Sequence, residues 1–138
     1  MMDAWEPRPV PSVNPETEPF WSAAADGRFL VRECPDCGLV YHYPSVLCPD
    51  CFADAEWREA TGSGTVYSFA IQRHLGSWPE DDLPAVFAHV ELEEGPRVIT
   101  NIVDCPPEDV EVGMPVEVHF VPTENDDVAV PVFAPATD

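Results

Sequence analysis

The chain has 138 residues, enough for one compact domain, or for two small ones of which the lesser needs a staple. Its 26 acidic residues face six arginines and no lysine, a formal charge of −20, so its long-range field repels nucleic-acid phosphate and anionic lipid. No apolar run reaches the length of a membrane-spanning helix.

Two origins of the acidity compete. One is adaptation to a salt-rich cytoplasm, where acidic, lysine-poor surfaces are expected; the other is a basic partner. The first is favoured because the acids are spread along the chain and not gathered in one tail.

Met1 to Pro19 is Pro-rich and reads as an extended arm that is ordered only where it lies on something. Trp5 within it is costly to expose, so the arm is expected to dock on this domain or on a partner. Asn14 or Thr17 can cap a short helix whose apolar face would carry Phe20, Trp21, Ala24 and Ala25, with Gly27 ending it. Phe20 and Trp21 are expected in the core, a partner-facing role being the minority alternative.

Cys34-Pro35-Asp36-Cys37-Gly38 is answered after ten intervening residues by Cys48-Pro49-Asp50-Cys51. A two-residue gap inside each pair lets one tight turn present both sulfurs, and the intervening loop lets two such turns face each other around one ion. Cys34, Cys37, Cys48 and Cys51 therefore predict a closed, structural Zn²⁺ site with no position open to substrate. Iron in a rubredoxin-like site and two disulfides are the weaker alternatives. Disulfides need a secreted chain, whereas Met1 to Val13 shows no apolar signal stretch, so a reducing cytoplasm is expected. His42 lies between the pairs, but with four thiolates available it is expected on the surface or beside the site, not as a ligand. Phe29–Glu33 and Leu39–Tyr43 read as ribbon strands flanking the first turn, Pro44 ending the second, and Trp57-Arg58 lead out of the second turn. The ribbon has too few apolar residues to fold alone, and metal would supply its folding energy, on the order of 10 kcal/mol. Cys105, in an Asp-Cys-Pro-Pro context, is expected to be a partly buried small hydrophobe without chemistry.

After Gly62-Ser63-Gly64 the pattern changes to short strands at 65–73, 85–91, 97–103, 115–121 and 128–134. Glu93-Glu94-Gly95-Pro96 joins the second and third as a hairpin, and Pro106–Val110 forms a helical turn closed by Gly113. Five strands with one small helical piece after the third predict a closed Greek-key barrel of the OB type. The fold class is thus mainly β: an N-terminal arm and helix (1–29), a rubredoxin-like zinc ribbon (30–60) and a five-stranded OB-fold barrel (61–138). The loop Gly76–Pro84 carries Trp78 beside three acids; it is either a contact element or a solvated loop with Trp78 folded back on the barrel.

No nucleophile motif, Gly-rich phosphate loop or His/carboxylate cluster of ligand spacing is evident. His74, His89 and His119 fall on separate strands and read as surface residues. A non-catalytic binding module is expected. The alternative is a single-stranded nucleic-acid-binding zinc-ribbon/OB protein, which has aromatics for stacking (Tyr67, Phe69, Trp78, Phe87) but only Arg73 and Arg97 in the barrel to track phosphate.

The order of parts resembles the zinc-ribbon/OB-fold family known as domain of unknown function thirty-five, the acyl-CoA-associated proteins, over nearly the whole chain. The resemblance rests on Phe20-Trp21, both Cys-Pro-Asp-Cys pairs, Trp57, the run Gly62 to Ser68, Val86 to Leu92 with Glu94-Gly95-Pro96-Arg97, Thr100 to Val103, Val112 to Val116, and Val132 to Pro135. It implies a non-catalytic accessory subunit of thiolase-superfamily enzymes acting on CoA thioesters. The contexts implied are acetoacetyl-CoA thiolase with HMG-CoA synthase, and a steroid side-chain aldolase. If CoA touches this chain, Arg28, Arg32 and Arg73 are the candidate phosphate contacts. Many relatives carry Pro-Pro-Arg between the cysteine pairs where this chain has Tyr43-Pro44-Ser45, which weakens the expectation of direct CoA binding.

Overall fold

A computed structural model describes residues 4–42 and 45–136. The expected close of the second ribbon strand at Tyr43 and Pro44, and the first three residues of the arm, lie outside the described residues.

Ahead of its first regular element in sequence, the chain lies docked on the barrel. Proline lacks the N–H that a regular ladder needs, so the arm is held by a few bonds of its own and by the barrel. The Trp5 backbone N–H donates to Pro122 O (3.1 Å), its indole N–H donates to Pro9 O (2.6 Å), and the ring is buried. The expected docking of Trp5 is onto this domain. Asn14 then opens the helix: its side-chain oxygen accepts the Thr17 N–H (3.0 Å) and its carbonyl accepts the Glu18 N–H (2.8 Å). Helix α1 (Glu18–Ala25) has proline in its first turn, where no N–H is needed, and buries Phe20, Ala23 and Ala24. The expected apolar face is off by one position, because Ala25 is exposed and Ala23 is buried. Two turns of helix sample too few residues to fix the phase.

The ribbon follows as β1 (Leu30–Glu33), β2 (Val40–Tyr41) and β3 (Glu56–Glu59), antiparallel in the order β2-β1-β3. β2 is shorter than expected, and Trp57-Arg58 form a full strand against β1, with Arg32 opposite Trp57. The barrel is built from β4 (Ser63–Gln72), β5 (Ala85–Leu92), β6 (Arg97–Ile102), β7 (Pro115–Pro122) and β8 (Ala129–Pro135), closed in the order β4-β5-β6-β8-β7. This is the predicted mainly β fold with its five-stranded OB barrel.

Gly64 sits where β4 and β5 approach: a Cβ there would lie 2.6 Å from the Glu91 carbonyl oxygen and 2.8 Å from Val90 Cγ1. The barrel's weakest seam is β6 against β8, a parallel contact at Ile102 and Phe133, with the Val103 N–H donating to Phe133 O (2.8 Å). Two residues earlier on the same edge of β8 stands Pro131, which has no N–H to continue the ladder. The Thr100 hydroxyl bonds to its carbonyl instead (3.2 Å).

Helix α1 packs against β8 and β1. Phe20 meets Phe29 edge-on at 5.5 Å and Phe29 meets Phe133 at 6.3 Å, so one core runs from the helix through the root of the ribbon into the barrel. A smaller cluster of Trp5, Val121, Val130 and Val132 lies under the arm.

Candidate metal centre and its surroundings

The two Cys-Pro-Asp-Cys turns are built alike. In the first, Gly38 N–H donates to Cys34 O (2.9 Å) and Cys34 N–H to Leu39 O (2.9 Å); in the second, Phe52 N–H donates to Cys48 O (2.9 Å) and Cys48 N–H to Ala53 O (2.8 Å). Each turn closes on a residue in the left-handed region, Gly38 at φ 79° and Phe52 at φ 63°. Only this reversal brings both sulfurs of a pair to the same side of the turn.

The turns face each other as expected. Cys34 Sγ is 3.4 Å from Cys51 Sγ, Cys37 Sγ is 3.6 Å from Cys48 Sγ, and all four sulfurs lie within 4.8 Å of one another. Sulfurs on a tetrahedron around zinc, at bonds of about 2.3 Å, stand about 3.8 Å apart. The donor set therefore fits Zn²⁺ in size and in softness.

Backbone N–H groups point at the sulfurs, Cys37 N–H at Cys34 Sγ (3.5 Å) and Asp50 N–H at Cys48 Sγ (3.4 Å). The Cys37 N–H is the main reason the Cys34 thiol falls to about 7. At Cys51 the Ala53 N–H lowers the thiol, but the Cys34 sulfur and burial outweigh it and push it up to about 12. Left to one another the sulfurs cannot all ionise, and a divalent cation makes four thiolates compatible. Zinc so bound supplies a cross-link and has no coordination position for a substrate.

His42 is not a ligand, nor a plain surface residue. It stacks on Phe29 (5.7 Å, 26°), with Phe20 edge-on at 5.7 Å, and burial pushes its pKa down to about 4. It is a wedge between helix and ribbon, held neutral. Cys105 is half-buried, with its thiol raised by burial. His89 is exposed on β5, His119 lies on β7 4.0 Å from Glu117, and His74 follows β4.

The three arginines considered for phosphate do not converge. Arg32 is buried within the ribbon, stacked on Trp57 at 3.8 Å and donating to Ala55 O (3.1 Å). Arg28 is exposed beside Glu59 (3.7 Å) and Asp26 (4.0 Å). Arg73 follows Gln72, at the far end of a ten-residue strand that spans about 33 Å from the ribbon side. Among the described residues it is the one arginine without an ion pair, hydrogen bond or ring contact. It borders an open cleft of about 580 Å³ with His74, Trp78 and Glu80.

Trp78 is folded back: its ring lies 5.7 Å from Phe87 and 6.0 Å from Trp5. Between the arm and this loop lies Arg8, buried at 3% exposure, paired with Asp82 and set 4.2 Å over the Trp78 ring. An arginine in a Pro-rich arm gives no sign of this in sequence; only folding brings its partners together.

Two family models match consecutive stretches of the chain. Residues 21–57 match the model for the ChsH2 rubredoxin-like zinc ribbon domain, and residues 57–121 that for the ChsH2 C-terminal OB-fold domain. A probable enoyl-CoA hydratase alpha subunit of Thermomonospora curvata is 36% identical over 130 residues, 94% of this chain and 40% of that protein. A DUF35 domain-containing scaffold protein of Methanocaldococcus jannaschii is 42% identical over 89 residues, 63% of each chain. A scaffold protein of the same description from Methanothermobacter thermautotrophicus is 37% identical over 64% of this chain and 68% of its own. The chain thus spans less than half of the hydratase subunit and under two thirds of the Methanocaldococcus protein. Among solved structures, a chain of the Ltp2-ChsH2(DUF35) aldolase superposes with a TM-score of 0.81 at 35% identity, over 92% of this chain and 99% of that one. The chain, a zinc ribbon leading into an OB-fold barrel, belongs to the ChsH2-type DUF35 family.

Proposed function

We propose that this chain is a non-catalytic docking subunit for a thiolase-fold enzyme that acts on acyl-CoA thioesters. The observation that carries the reading is the match over 99% of a chain from the aldolase named Ltp2-ChsH2(DUF35). The site geometry agrees with it. Zinc closed by four sulfurs activates no water, and His74, His89 and His119 stand on separate elements. The hydratase named for the Thermomonospora relative does not carry over, since 60% of that protein has no counterpart in the aligned region. An aldolase partner is favoured over a thiolase/HMG-CoA synthase pair because a chain of an aldolase is a structural relative at 35% identity and a TM-score of 0.81.

Of the three candidate arginines, Arg73 is the one with a free guanidinium for a CoA phosphate. Trp78 borders the same cleft, and Glu80 opposes the contact. Arg28 could reach phosphate only by leaving Glu59, and Arg32 only by leaving Trp57. The single-stranded nucleic-acid reading is the weaker one. Arg97, the barrel's other cation, is held by Glu91 and stacked on Tyr67.

The test is isothermal titration of the zinc-loaded chain into the purified Ltp2-type subunit of the same organism, alongside a single-stranded oligonucleotide. Saturable binding to the enzyme and none to the oligonucleotide is expected; the reverse overturns the reading.

A further inference from the structure

The two zinc turns make equivalent backbone–backbone hydrogen bonds, yet their closing residues differ. At Gly38 the left-handed conformation is free of side-chain strain, and a Cβ placed there would meet nothing within 4 Å. The equivalent Phe52 adopts the same conformation at φ 63°, which for an L-residue with a bulky side chain is strained. The strain brings no packing in return, because Phe52 is 73% exposed. Val46 and Leu47, exposed at 45% and 46%, lead into the same turn, where Leu47 forms an isolated bridge with Asp54 and Val46 O accepts the Ala55 N–H. Three apolar side chains thus share one end of the ribbon, at the turn where glycine would serve the fold better.

Strain held at an exposed position points to use. The surroundings say what kind of surface would cover it. From Glu33 to Trp57 the chain has Glu33, Asp36, Asp50, Asp54 and Glu56 and no lysine or arginine. Four thiolates on one divalent cation add a further net negative charge behind the patch. Anionic lipid and nucleic acid are repelled from such a surface. A protein surface with an apolar socket rimmed by lysine or arginine is complementary to it in both respects.

We infer that the second zinc turn is the docking tip of this subunit, with Phe52 as an anchor that enters an apolar, basic-rimmed socket on the thiolase-fold enzyme. The inference rests on the docking function proposed above and adds to it which surface engages. Zinc then has a second consequence: it fixes the turn that presents Phe52, so the anchor is held in place before binding.

Phe52→Gly tests this cleanly, because it relieves backbone strain and removes a side chain that fills no cavity. Phe52→Asn, a polar residue that tolerates the left-handed region, is the second variant. Both are loaded with zinc and checked for unchanged metal content and a thermal midpoint no lower than that of the parent. Each is then titrated into the purified Ltp2-type subunit of the same organism. The expected result is a loss of about tenfold or more in affinity for both variants, and a parent affinity that falls as salt is raised. Parent and variants binding equally well would overturn the docking tip while leaving the docking function standing. No binding by the parent would overturn the function and, with it, this inference.

Discussion

Phe20 joins the helix to everything else, and its removal gives the sharpest test of how the three parts cohere. The ring is 6% exposed and meets Trp21 at 5.0 Å, Phe29 at 5.5 Å and His42 at 5.7 Å. Truncating a buried phenylalanine costs about 3–5 kcal/mol, because the cavity cannot collapse onto rigid neighbours. The edge-on contact with Phe29 accounts for about 0.5–1.5 kcal/mol of that. Phe20→Ala, Phe29→Ala and the double variant, unfolded in urea, give the cycle that isolates the pair. The expected coupling falls in that range, with zinc content unchanged, since the ring partners of Phe20 are Trp21, Phe29 and His42 and none of them belongs to the four-cysteine cluster. The experiment should be run at or above physiological salt, where the charge of −20 is screened within about 8 Å. A cost below about 1 kcal/mol for Phe20→Ala would refute the shared core and make α1 a loosely attached element.

A strong chelator should remove protection from exchange at amides of Val40 to Glu59 while β5 (Ala85–Leu92) keeps its own; equal protection with and without metal would contradict the zinc-stapled ribbon. His42, held neutral with its pKa lowered by burial to about 4, takes up its proton more readily in the unfolded chain. Its stabilising contribution is therefore complete above about pH 6.5 and is lost as pH falls through 4, amounting to roughly 3 kcal/mol. Comparing the parent with His42→Leu isolates that slope from acid loss of zinc, which both share; parallel pH profiles would contradict it. Gly64→Ala should destabilise the barrel by about 1–3 kcal/mol in denaturant, because its Cβ would meet the Glu91 carbonyl at 2.6 Å; a neutral effect would show that β4 and β5 can part there.

The metal centre was legible because its information is local: the spacing within each Cys pair dictates a turn, and two turns dictate a tetrahedron. The barrel strands were legible because Gly, Pro and acid clusters punctuate them, as Glu93–Pro96 does between β5 and β6. What escaped depends on contacts distant in sequence. Glu56–Glu59 is a strand only because β1 is there to pair with, and its own pattern does not alternate in burial. Arg8 is buried only because Trp5, Trp78 and Asp82 meet around it. His42 resembles a surface residue until Phe20 and Phe29 close over it. Phe52 had a signal that went unused. The second Cys-Pro-Asp-Cys repeats the first, and the glycine after the first predicts a left-handed residue after the second.

On the function proposed above, this chain supports another subunit's chemistry and performs none. Turnover of an acyl-CoA thioester by three samples at matched concentration tests it most directly: the zinc-loaded chain alone, the Ltp2-type subunit alone, and the two together. No turnover is expected from the chain alone, and the rate in the mixture should exceed that of the Ltp2-type subunit alone. Turnover by the zinc-loaded chain on its own would contradict it.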